Sequence, residues 1–206
     1  MFKKPVQLEF PRHEGRRKGA GRPKGGGGRV SHHRRPVFGR PTPAHVTMRV
    51  LGDVPSLRAS RRFALVRRSF AAAKGKFGLR LVKFSVLSNH LHLIVEADDS
   101  EALARGMKGL NVRLARALNA ALGRKGSLFE DHYHLHLLRT PTEVAHALEY
   151  VRTNAERHYG ERGTDWCSSE NGEWRDLLVE PGTWLLSVGF LRGRRKGQGR
   201  WRGTGD

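Results

Sequence analysis

The chain has 206 residues, with 39 Lys plus Arg against 19 Asp plus Glu, for a formal net charge of +20. That length suits one full core but not comfortably two, and so large a charge excess calls for a polyanionic partner. No stretch approaches the ~20 apolar residues of a membrane span, and a lone cysteine, Cys167, excludes an internal disulfide framework and a multi-cysteine metal site. The start, MFKKPVQLEFPRHEGRRKG, has no apolar core of signal-peptide length. The expectation is a cytoplasmic, nucleoid-associated protein that binds nucleic acid and no membrane.

Residues 1–44 carry 12 Lys or Arg against two Glu, with GRRKGAGRPKGGGGR in the middle. So much glycine and charge cannot bury enough apolar surface to fold, which predicts a disordered basic arm. Within it GRPKG resembles the core of an AT-hook, which makes Arg22 and Lys24 candidate DNA contacts. From His45 the pattern becomes regular. HVTMRVL alternates, with Val46, Met48 and Val50 on one face. A helix follows Pro55 and Ser56, with Phe63, Val66, Phe70, Ala73 and Phe77 spaced by three and four, and Gly75 and Gly78 bracket its end. LRLVKFSVL alternates again and is expected to turn Val82, Phe84 and Val86 inward.

After the Ser88-Asn89 turn comes the stretch SNHLHLIVEADD, a strand to about Ala97. Asp99 or Ser100 can cap a helix whose stripe is Leu103, Met107, Leu110, Leu114 and Leu118, ending at Gly123. HYHLHLL reads as another strand, with Tyr133, Leu135 and Leu137 on one face. The last helix opens at TPTE: Thr140 is the cap, Pro141 the first helical residue and Glu143 completes a capping box, and it runs to about His158. Strand, helix, strand, strand, helix, strand, helix gives an α+β chain. The expected fold is a ferredoxin-like (RRM-like) split βαβ: a four-stranded antiparallel sheet, helices on one face, and an extra C-terminal helix. The other face is expected to lie open. Residues 161–206 form a C-terminal extension whose Trp166, Trp174 and Trp184 suggest packing, followed by a basic, Gly-rich tail; no function is read from it.

In that histidine strand, His90 and His92 are two apart and so point to one face, while Leu91, Leu93 and Val95 point to the other. Alone, such a pair is a weak motif. On the last helix Tyr150 and Asn154 are four apart, hence one turn from each other on one face. Two imidazoles and an amide oxygen suit a hard cation such as Mg²⁺ or Mn²⁺ and leave open positions for phosphate oxygens, and a phenol can attack phosphorus.

His90-Leu91-His92, followed some 60 residues later by YVRTN, resembles the single-tyrosine HUH transposases and most closely the REP-associated tyrosine transposase group. The resemblance covers roughly residues 45–158 and implies a catalytic domain over 45–160. It implies Tyr150 as nucleophile, with His90, His92 and Asn154 as ligands of Mg²⁺ or Mn²⁺. The implied reaction cleaves and rejoins single-stranded DNA, with hairpins beside the cut, through a 5′-phosphotyrosine intermediate. Members often follow the helix asparagine with proline, whereas Ala155 stands here, which extends the helix without touching ligation. A monomer and a homodimer both remain open.

The rival reading is a non-catalytic RRM-like nucleic-acid-binding protein whose histidine pair is incidental. His132, His134 and His136 form a rival cluster, read more readily as a polar surface facing DNA. His146, four before Tyr150, is a candidate base or ligand, and Tyr133 and Tyr159 are the other phenols. Arg105, Lys108, Arg113 and Arg116 on the second helix are candidate phosphate contacts.

Overall fold

The computed structural model describes residues 35–160 and 163–194. Four antiparallel strands, β1 (Thr42–Arg49), β2 (Leu79–Val86), β3 (His90–Ala97) and β4 (His134–Leu137), lie in the order β2-β3-β1-β4. Helices α1 (Ser60–Ala73), α2 (Ser100–Leu122) and α3 (Pro141–Tyr159) complete the expected ferredoxin-like order. The strand bearing His90 and His92 is therefore internal, paired on both edges.

Periodicity places the core. Ala44, Val46 and Met48 of β1 and Leu91, Leu93 and Val95 of β3 face α1 and α2, where Phe63, Val66, Phe70, Leu103, Met107, Leu110, Leu114 and Leu118 close over them. Fully burying each such large side chain is worth about 1.5–3 kcal/mol. The helix signals also hold. Asp99 accepts from the Ala102 N–H at 2.7 Å, Gly123 turns left-handed after α2, and Thr140, Pro141 and Glu143 form the full capping box on α3.

Four expectations need correction, the last being the open sheet face. Folded structure begins earlier than residue 45: β1 starts at Thr42, Phe38 packs against the core, and the Arg35 guanidinium lies 3.6 Å from the centre of the Tyr133 ring. Residues 1–34, including Arg22 and Lys24, lie outside the described residues. Second, Val82 does not join Phe84 and Val86. A bulge between Leu81 and Lys83 shifts the register, so Leu79 and Leu81 take the inward places and Val82 turns to the other face. One extra residue reverses the alternation. Third, Phe77 lies past the end of α1, half exposed and with φ of 60°.

The second face of the sheet is not open. Val144, Ala147 and Val151 of α3 pack on Val82 and Ile94, together with Leu138 and Leu186. The extension beyond α3 belongs to the same body. Its backbone pairs along the free edge of β2, with the Val86 N–H donating to Cys167, Ser169 donating to Phe84 and Val179 to Leu81. An otherwise unpaired edge is thereby covered. Cys167, Trp174 and Leu177 enter the main core, and Arg58 pairs with the buried Asp165 at 2.9 Å. Glu96, fully buried on the second face, accepts from the Gly182 and Thr183 N–H groups, the Thr183 hydroxyl and Arg80 Nε. That single carboxylate fastens the last helical turns to the sheet.

Candidate metal and tyrosine site

On the face that α3 covers, His90 and His92 project from β3 with ring centres 4.8 Å apart. Both rings are buried. The Tyr150 ring stands edge-on to His92 at 5.1 Å, and the helix pitch brings Asn154, fully buried, one turn further along. The strand and the helix thus set Tyr150 against the histidine pair, with Asn154 buried one turn along the same helix.

The contacts at Nδ1 leave Nε2 of each ring for other partners. His90 Nδ1 lies 2.7 Å from Asn89 Oδ1, and His92 Nδ1 lies 3.1 Å from both His45 Nε2 and Thr47 Oγ1. With its ring proton at Nδ1, each imidazole keeps the lone pair at Nε2. His92 Nε2 is buried with no partner among the described residues, and so are both side-chain atoms of Asn154. An unsatisfied buried polar atom costs about 1–3 kcal/mol. Three such atoms on two facing elements suit a ligand that bonds them, and imidazole nitrogens with an amide oxygen are a donor set that a divalent cation accepts.

Burial sets the charge state. It pushes His90 down to about 4 and His92 to about 2, with nearby Arg49 and His158 adding to both and His45 adding to His92. His45 falls to about 4, again through burial first, then His136 and His134. All three rings are neutral at physiological pH, the form in which imidazole ligates. Among the described residues no group of three or more His, Cys, Asp or Glu is disposed to hold a metal ion, so the rival histidine cluster is not such a group. His132 lies before β4 and is exposed. His134 and His136 sit opposite Thr47 and His45, on the same face as the site.

The other phenols are engaged elsewhere. Tyr133 is buried in the main core across the sheet, and the Tyr159 hydroxyl accepts from the Ser88 N–H at 2.8 Å. His146 Nε2 is buried without a partner among the described residues. Arg105, Lys108, Arg113 and Arg116 ride on α2, which packs on the opposite side of the sheet. Arg105 also pairs with Glu101, and Arg113 donates to the Gly109 carbonyl. The structure does not bring them to the site.

Sequence reasoning missed three neighbours. His45 and Thr47 alternate with Val46 and Met48, so they had to share a face; only the register Thr47↔His92 shows that the face is this one. Arg157, about two turns past Tyr150, places its guanidinium 5.4 Å from the phenol ring centre.

Fold and site together define a ferredoxin-like domain in which a histidine strand meets a tyrosine–asparagine helix. Residues 58–154 match the family described as "Transposase IS200 like". The solved REP-associated tyrosine transposase bound to a REP hairpin superposes with a TM-score of 0.57 at 15% identity, covering 75% of this chain and 94% of that one, a likeness of fold. A putative transposase from Deinococcus radiodurans aligns with a TM-score of 0.41 at 14% identity, over 66% of this chain and 99% of that one. No curated protein matches the chain.

Proposed function

We propose that this transposase is a metal-dependent single-stranded DNA transesterase with Tyr150 as nucleophile. The observation that carries the reading is the Tyr150 ring set edge-on to His92, whose buried Nε2 has no partner among the described residues, nor has either side-chain polar atom of Asn154 one turn along the helix. His90, His92 and Asn154 would hold Mg²⁺ or Mn²⁺. When bound, such a cation supplies charge stabilisation at a non-bridging oxygen of the scissile phosphate.

The chain's own residues do the rest. A free phenol is only ~0.1% ionised at neutral pH, so its attack needs positive charge nearby and exclusion of bulk water. Arg157 supplies one charge beside the ring, and the half-buried phenol ring lies against His92 where α3 packs on the sheet. Tyr150 attacks phosphorus; the Tyr–O–P bond forms as the P–O3′ bond breaks, and the departing 3′ oxygen takes up a proton. The phosphotyrosine keeps the ester energy, so a DNA 3′-hydroxyl can reverse the step and rejoin strands without ATP. Asn89, His45 and Thr47 contact the two imidazoles at Nδ1 and orient the rings, which leaves Nε2 for a ligand.

Single-stranded DNA flanked by a hairpin is the proposed substrate, which the hairpin-bound state of the structural relative supports. The test is a denaturing gel of the protein mixed with Mn²⁺ and labelled single-stranded hairpins drawn from the DNA flanking its gene. A covalent adduct that His92→Ala abolishes supports the reading. Tight DNA binding with no adduct from any flank would replace it with the non-catalytic RRM-like binder.

A further inference from the structure

Beyond the tyrosine site, a cavity of about 490 Å³ opens where β1 begins and β4 ends. Phe38, Arg40, Pro43, Leu138, Arg139 and Trp184 are in its wall. Arg40 and Arg139 are exposed, and neither forms an ion pair among the described residues.

Trp184 is half exposed, which is unusual for so large an apolar ring. It is also held in place. Its neighbour Thr183 is fastened by the buried Glu96, and a Cβ on Gly189 would stand only 2.7 Å from the indole, so the Gly189 backbone lies against the ring. The Arg192 guanidinium is 5.3 Å from its centre. A fixed aromatic platform beside unpaired guanidiniums is how single strands are bound: base on ring, phosphate on cation. Val188 and Leu191 are exposed nearby, so a protein surface is the competing occupant. A second copy of a chain carrying +20 is disfavoured by repulsion, whereas a polyanion is drawn in.

The cavity also lies along the histidine face. Pro43 follows the alternation of His45 and Thr47, and Thr47 pairs with His92. Four residues of strand separate Thr47 from Pro43, about 13 Å, a distance that an extended DNA strand covers in a few nucleotides. His136 and His134 border that path on β4.

We propose that this cavity holds an unpaired nucleotide of the DNA strand, its base stacked on Trp184 and its phosphates paired with Arg40 and Arg139. The inference rests on the transesterase reading for its substrate class. The test titrates a labelled 12-nucleotide oligothymidylate into the full chain in EDTA, read by fluorescence anisotropy. Trp184→Leu weakens binding about tenfold and Trp184→Tyr restores most of it. Arg139→Gln weakens binding and reduces the salt slope by about one. An abasic oligonucleotide of the same length loses affinity for the wild-type chain but not for Trp184→Leu, which guards against a folding defect.

Equal affinity of wild type and Trp184→Leu, or of thymidylate and abasic strands on the wild type, would overturn the proposal. So would a Trp184→Leu change confined to oligomeric state. If Trp184 proves to matter and no Mn²⁺-dependent adduct forms, the cavity stands and the transesterase reading fails. If the adduct forms and Trp184 is indifferent, only the cavity assignment fails.

Discussion

The ring of Tyr150 stands edge-on to the imidazole of His92, with centres 5.1 Å apart and planes at 84°. One residue comes from a helix and the other from an internal strand, so their approach depends on α3 lying on the sheet. Tyr150→Phe keeps that packing and removes only the hydroxyl. Adduct formation should fall by at least about a thousandfold, while hairpin affinity stays within about twofold. A gel-based rate with a parallel binding titration checks both; parallel loss of the two would mean that the phenol serves binding instead.

Asn154 makes an unusual stability prediction. Its amide is fully buried and unpartnered among the described residues, so Asn154→Leu removes two unsatisfied polar atoms. The metal-free protein should gain about 1–3 kcal/mol, read by calorimetry as a rise in Tm of a few degrees. The same variant should lose any Mn²⁺-induced rise in Tm. A large drop in the metal-free Tm would show that the amide is satisfied in solution and has no need of a cation.

Acid should destabilise the metal-free fold. His90 and His45 are held near 4 and His92 near 2, below the 6.5 of the unfolded chain. Below pH 6.5 the unfolded state therefore binds more protons, and stability falls as pH drops toward 4. Each imidazole contributes a slope of at most about 1.4 kcal/mol per pH unit, and the adjacent rings titrate as a set. Urea unfolding between pH 7.5 and 4.5 measures the slope, and His92→Asn should flatten it. A slope unchanged in that variant would mean that acid acts elsewhere.

Glu96 anchors the C-terminal turns through Gly182, Thr183 and Arg80. Glu96→Ala leaves buried donors without an acceptor and should cost about 3–5 kcal/mol. Limited proteolysis should then cut near residue 181 before it cuts the sheet. Uniform unfolding without preferential cleavage would show that the turns and the sheet melt as one unit.

Alternation and capping made the order of elements and the ends of α2 and α3 legible in advance, because apolar side chains and caps answer to local rules. With no side-chain cap, α1 is shorter at both ends than its apolar spacing predicts. The bulge at Leu81 and Lys83 was not legible, since an inserted residue looks like any other until its partner strand is known. Reading the sheet's second face as open failed for a related reason. The apolar residues of α3 were visible, and Ile94 shares the face of His90 and His92, but Val82 joins that target only because the bulge has turned it over. His45 was likewise hidden, because cross-strand neighbours depend on register. Glu96 read as one acid in an apolar strand, and nothing local tied it to residues 86 positions away.

Peptide mapping of the covalent adduct identifies the nucleophile. After nuclease trimming and proteolysis, mass spectrometry should place a residual nucleotide on the peptide containing Tyr150. A nucleotide on Tyr133 or Tyr159, or no nucleotide-bearing peptide from an adduct that resists denaturation, would contradict the account.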